Sequence, residues 1–162
     1  MKPYLDELSA RGLEVHALRL PRGSAERAIA PLRRQVGDGL ARAVIGGHSF
    51  GGRVASLVAA ETPPAGLVLL SYPLHRPGHP EELRADHWPR VSCPVLVLSG
   101  DRDQFARIDL LRDAVTRLPD AETHIYPGLR HGLTSVADDV TERIAVFVGQ
   151  LAQPEPSTRS RR

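Results

Sequence analysis

The chain has a single cysteine, Cys93, among its 162 residues. That count excludes an internal disulfide framework and a cysteine-based zinc cluster. Lysine is almost absent too: Lys2 stands alone, and the rest of the positive charge is arginine. Such a skew reflects genome composition rather than a basic recognition face. The net charge is only +2, so no charge excess marks a nucleic-acid partner. No apolar run reaches the length of a membrane span. The opening MKPYLDELSARG carries acidic residues and lacks the apolar stretch of a secretory leader, which makes the expected address cytoplasmic. There is no internal repeat.

What is present suits one folded domain over 1–151, followed by a polar, proline-containing basic tail over 152–162. Apolar residues make up 41% of the chain and charged residues 25%, enough for a buried core. "YLDELSARG" reads as the end of an amphipathic helix that stops at Gly12. The alternation from Leu13 to Leu20 predicts a strand. Ser24 caps a helix over Ala25–Val36 that Pro31 kinks or splits. "ARAVIGG" is a short buried strand, and "GGRVASLVAAE" a helix that ends before Thr62-Pro63-Pro64. "AGLVLLSYP", "CPVLVLSGD" and "AETHIYPG" follow as strands, with helices over "DLLRDAVTRLP" and "DDVTERIAVFVGQLA".

Strands that alternate with helices predict an α/β fold: a mainly parallel sheet of about five strands, covered on both faces. The central strands are continuous Val/Leu/Ile runs, as strands buried on both faces should be. The segment Tyr72–Arg90 is too short for a cap domain and reads as a lid loop over a shallow, open pocket. In such sheets sites form beyond the carboxyl ends of the strands.

Directly after the strand at Ala43–Ile45 stands Gly47-His48-Ser49-Phe50-Gly51, a G-x-S-x-G. A sharp strand-to-helix turn strains the serine backbone and needs small neighbours. It projects the serine Oγ above the sheet. The next amide, that of Phe50, opens a helix and can donate to an oxyanion. A phosphate loop is excluded here, because G-x-x-x-x-G-K-[ST] needs a lysine.

A serine nucleophile needs a base and an orienting acid. "SGDRDQF" supplies Asp101 and Asp103 after one strand, and "PGLRHGL" supplies His131 after the last. Asp103 is the better acid because it lies further from the strand end, whereas Asp101 is suited to bond loop amides. The resulting order Ser49, Asp103, His131 is the order of an α/β-hydrolase triad. His48 and His75 are candidate substrate-pocket residues. His79 and His87 read as surface residues, His16 and His124 as strand residues. Cys93, Tyr72 and Trp88 read as packing groups, and Arg53 as half of an ion pair. No metal or cofactor is called for, and the chain is expected to be a monomer or homodimer.

From about Tyr4 to Leu151 the chain resembles the α/β-hydrolase superfamily. It is most similar to the compact dienelactone-hydrolase-related branch, which includes the testis-expressed hydrolase-like proteins and a regulatory subunit of the NSL histone-acetyltransferase complex. "GGHSFGGRVAS", "YPLHRPGHPEELRADHWPRVSCPVLVLSGDRDQF" and "GLRHGL" carry the resemblance, in that order. It implies nucleophile Ser49, acid Asp103 and base His131, but no substrate. The triad itself predicts acyl transfer from an ester or related carbonyl to water through an acyl-enzyme, and the short lid loop favours a small or extended ester. Relatives usually have proline after the acid; here Gln104 stands there. Histidine replaces a lysine common in the elbow.

The resemblance also implies a strand and a His-Gly-type loop ahead of the first helix. Neither is in this sequence. The loop would supply a second oxyanion donor, and the strand would lie between Leu13–Leu20 and Ala43–Gly47. Two expectations follow: either Met1 is an internal start and the natural protein has residues upstream, or Leu13–Leu20 pairs directly with Ala43–Gly47. Two other function classes stay open. One is a non-catalytic scaffold that keeps the hydrolase fold. The other is a nucleotide binder, which would need a ribose-binding acid after the next strand; "LVLLSYPLHRP" offers none.

Overall fold

The computed structural model describes residues 2–152. The tail expected over 152–162 therefore lies, apart from Ala152, outside the described residues. Among the described residues five α-helices and four strands follow in the order α1 (Lys2–Ala10), α2 (Ala25–Val36), β1 (Val44–His48), α3 (Phe50–Glu61), β2 (Gly66–Leu70), β3 (Val95–Gly100), α4 (Ile108–Val115), β4 (Ala121–Tyr126) and α5 (Ala137–Leu151). The strands are parallel and lie in the order β1-β2-β3-β4.

Strand alternation divides the core into two layers. Ile45, Leu67, Leu69, Val95 and Val97 face α2, α3 and α4. Val68, Leu70, Leu96, Leu98 and Tyr126 face α1 and α5. Every residue of β2 and β3 is buried, which accounts for their unbroken apolar sequence. The edge strands β1 and β4 are only partly covered. Tyr4 and Leu8, one turn apart on α1, are buried in the second layer with Ile144 and Phe147 of α5. Arg11, just past α1, pairs with Asp138 at the start of α5.

Among the described residues the sheet has four strands, where the sequence predicts about five. Residues 13–20 form no ladder, and they do not pair with β1. Leu13 and Val15 pack against the α1/α5 layer, and Leu20 against the other. Two bonds between the backbone of Arg19 and the Gln35 side chain hold the segment to α2, at 3.1 and 2.9 Å. Alternation holds over the first half, where Leu13 and Val15 are half-buried between exposed Glu14 and His16, and fails over the second, where Ala17, Leu18 and Arg19 are all exposed. A strand also needs a neighbouring edge to bond to, and alternation carries no information about that. Among the described residues β1 is hydrogen-bonded on one side only, by β2, and Gly46 on it is exposed.

Two further expectations change. Pro31 does not split α2, which runs unbroken from Ala25 to Val36. The segment Tyr72–Arg90 is a packed crossover from β2 to β3 rather than a lid. Tyr72, Leu74, Ala85 and Trp88 are wholly buried. The Tyr72 and Trp88 rings lie 5.0 Å apart, and the Tyr72 hydroxyl donates to the Arg84 carbonyl at 2.6 Å.

His87 belongs to that crossover and is buried, not on the surface. Its Nε2 bonds the Ser56 hydroxyl of α3 at 2.8 Å, and Ser56 donates in turn to the Arg53 carbonyl. Burial, reinforced by the positive charges of Arg90 and Arg53, pushes its pKa down from 6.5 to about 4. The unfolded chain therefore binds the extra proton first. Stability from neutral His87 is fully present above about pH 6.5 and is lost as pH falls toward 4. Urea midpoints measured across that window are expected to fall for the natural chain and to fall less for His87→Gln, whose amide can still reach Ser56.

Candidate active site

Ser49 lies between the end of β1 and the first residue of α3, with φ 52° and ψ −114°. That left-handed backbone holds strain of order 1–3 kcal/mol, which the surroundings must over-determine. Its amide donates to the Leu70 carbonyl at 2.9 Å, and its carbonyl accepts from Arg53 at 3.1 Å, so both flanks are fixed. The crossing of β1 and α3 is very close. A Cβ on Gly52 would lie 2.7 Å from the Gly47 carbonyl oxygen, and one on Gly47 only 3.0 Å from the Gly51 backbone. Phe50 is the first residue of α3, and its amide has no acceptor within the helix.

The loop after β3 carries both aspartates, and they do different things. Asp101 Oδ1 accepts from the Gly128 amide at 2.7 Å, tying this loop to the one after β4. Asp103 has a side chain of zero exposure. A carboxylate so buried needs partners. Its Oδ1 accepts from the Phe105 amide at 2.8 Å, and both oxygens face His131 Nδ1, at 3.0 and 2.8 Å.

His131 lies in the loop after β4 and is itself mostly buried. With Nδ1–H donated to Asp103, its Nε2 is left as an acceptor, 2.8 Å from Ser49 Oγ. Phe105 packs its ring 4.3 Å from the imidazole. The loop crosses over the end of β3, where only glycine fits: a Cβ on Gly100 would meet the Leu129 carbonyl oxygen at 2.1 Å. Ser49, His131 and Asp103 thus form one hydrogen-bonded line across the carboxyl ends of β1, β3 and β4.

The other candidates are placed differently. His48 Nε2 donates to the His131 carbonyl at 2.6 Å, so this ring lies against the loop of the other histidine. His75 is buried, with both ring nitrogens engaged. Nδ1 donates to the Arg76 carbonyl at 2.8 Å, and Nε2 accepts from the Arg107 amide at 3.0 Å. It is a strut between the crossover and the loop that carries Asp103, not a wall of the pocket. Arg53 pairs with Glu26 at 3.0 Å. Cys93 is buried, which pushes its thiol up to about 11 and keeps it unreactive. His16 is exposed beside Glu14, and His79 beside Glu81. His124 packs on Tyr126. Nothing in the sequence marks the Phe105 ring as a neighbour of His131, although its place two residues after Asp103 is where an Asx-turn finds its amide.

A groove of about 270 Å³ opens beside the elbow, lined by Leu20, Pro21, Arg22, Gly23 and Phe50. A second, of about 210 Å³, lies among Pro94, Val95 and Asp120. That is the amino end of the strands, away from Ser49. No described helix is long and apolar enough to cross a membrane.

Residues 15–145 match the family described as Alpha/beta hydrolase domain. A non-heme haloperoxidase of Rhodococcus erythropolis is 36% identical over 70 residues, 42% of this chain. The match spans only 24% of that enzyme's length. Among solved structures, a monoacylglycerol lipase of Paleococcus ferrophilus superposes with a TM-score of 0.78 at 14% identity, over 92% of this chain and 88% of the lipase. An esterase of Pyrococcus furiosus superposes with a TM-score of 0.77 at 15% identity, over 93% and 74% of the two chains. At such identities the likeness is one of fold.

The elbow generates a paired prediction. Gly52→Ala should destabilise by about 1–3 kcal/mol, because overpacking against rigid backbone exceeds the helix-propensity gain. Gly51→Ala, whose Cβ meets nothing within 4 Å, should instead stabilise by about 0.5–1 kcal/mol. Urea denaturation of the two variants measures both.

Proposed function

Because the chain belongs to the Alpha/beta hydrolase domain family, we propose that it is a serine hydrolase that transfers the acyl group of a small ester to water. In this reading His131 takes the proton of Ser49 as Oγ attacks the carbonyl, and Asp103 holds the imidazole in the Nδ1–H tautomer and stabilises its cation. The Phe50 amide receives the oxyanion. His131 then returns the proton to the departing alcohol. A water, deprotonated by the same imidazole, releases the acid and restores Ser49.

The observation that carries the proposal is the unbroken relay from Ser49 Oγ to His131 Nε2 at 2.8 Å and from Nδ1 to Asp103 Oδ2 at 2.8 Å. The groove at Phe50 is the candidate acyl subsite. At about 270 Å³ it falls below the usual range for drug-sized ligands, about 300–1,000 Å³, which favours a short acyl chain. The esterase and monoacylglycerol lipase among the structural neighbours support carboxylic-ester chemistry by analogy of fold. The proposal needs no cofactor, metal or nucleic acid, and takes the protein as cytoplasmic.

Hydrolysis of p-nitrophenyl acetate and butyrate tests it. Ser49→Ala should lower kcat about 10³-fold or more while the thermal midpoint stays close to that of the natural chain. Asp103→Asn should lower kcat by a comparable order through the wrong histidine tautomer. Natural protein that is folded but neither hydrolyses these esters nor reacts with a fluorophosphonate at Ser49 would favour the scaffold reading. Hydrolysis unaffected by Ser49→Ala would remove Ser49 as nucleophile.

A further inference from the structure

We propose that His48 is a positioning residue: its Nε2–H holds the main chain of His131, and so sets the distance between the base and Ser49. The proposal rests on the roles assigned above to Ser49 and His131.

The placement follows from strand parity. Val44 of β1 packs in the α1/α5 layer, and His48 lies four residues on, so its side chain leaves the same face of the sheet. The loop after β4 leads into α5 on that face. His48 Nε2 reaches the His131 carbonyl there at 2.6 Å, and the two rings pack with centroids 5.0 Å apart. A ring nitrogen facing a carbonyl must carry the proton, so His48 is the donor.

Among the described residues no other hydrogen bond reaches the His131 backbone; on its far side the next anchor is the wholly buried Leu133. The loop carrying Asp103 fastens the base loop at its start: Asp101 takes the Gly128 amide, and the Arg102 amide donates to the Leu129 carbonyl at 2.9 Å. Among the described residues these ties end at Leu129, two residues before the base. The His131 side chain is held at Nδ1 by Asp103. Its backbone is held by His48, and His48 is covalently joined to Ser49. The bond therefore closes a short ring that includes the reacting pair. Misplacement by about 1 Å costs on the order of 10²-fold in rate, so a tie at this point matters more to turnover than to binding.

The test compares His48→Ala, His48→Gln and His48→Asn. The Gln amide nitrogen falls close to the position of Nε2, whereas the Asn nitrogen falls close to that of Nδ1. Steady-state hydrolysis of p-nitrophenyl butyrate gives kcat and KM. The proton NMR signal of His131 Nδ1–H, shifted far downfield by its bond to Asp103, reports the position of the base independently of turnover. His48→Ala and His48→Asn should lower kcat by about 10- to 100-fold with KM within about twofold, and should broaden or abolish the signal. His48→Gln should restore both. If His48→Ala fails to fold, the Gln and Asn variants decide the question by themselves. The proposal is overturned if Gln falls as far as Asn, if all three variants keep natural kcat and an unchanged signal, or if KM rises with kcat unchanged. If natural activity survives Ser49→Ala, the hydrolase reading has failed and the NMR comparison alone judges His48: rescue by Gln upholds the tie, and indifference removes it.

Discussion

Two polypeptide segments that meet without side chains between them hold Ser49 where it is. The end of β1 and the first turn of α3 approach so closely that Gly52 could not bear a Cβ against the Gly47 carbonyl. That contact sets the tightness of the turn, and the turn forces φ to 52° at Ser49. An L-residue does not rest there without support. The support is the sheet and helix on either side, through bonds to Leu70 and Arg53. The place of the Ser49 hydroxyl, the Phe50 amide without a helical acceptor and the path of His48 towards the His131 loop all follow from that one close approach.

The rest of the site is built to arrive at a hydroxyl whose place is already fixed. Asp103 and His131 come on loops, which are mobile by default. Here they are fastened to each other and to the sheet. Asp101 and Arg102 bind the loop after β4, His75 braces the loop after β3 from the crossover, and Phe105 bonds Asp103 through its amide and packs His131 with its ring. In the proposed hydrolysis this alignment would precede substrate binding and leave little reorganisation for the chemical step.

The sequence made some of this visible and hid the rest for a consistent reason. The α/β alternation, the G-x-S-x-G between strand and helix, and the split between Asp101 and Asp103 follow from short-range rules: periodicity, glycine content, distance from a strand end. Leu13–Leu20 has the right alternation and still makes no strand, because pairing depends on a remote edge. His87 and His75 sit in a polar-looking, proline-rich stretch that reads as a loop over the surface. Both are buried because Ser56 and Arg107, far along the chain, offer them partners. Phe105 fell between the two cases, since its amide contact is local and its stacking on His131 is not.

The strand that presents Ser49 is also the outermost strand at its side of the described sheet. Opening of a folded protein is not uniform, and sheet edges with few covering contacts open at lower free energy than strands buried on both faces. Among the described residues the elbow is therefore attached to one of the two partly covered edge strands, β1 and β4, rather than to β2 or β3, which are buried on both faces. A local opening at β1 would displace the Ser49 hydroxyl at a smaller free energy than unfolding of the whole domain.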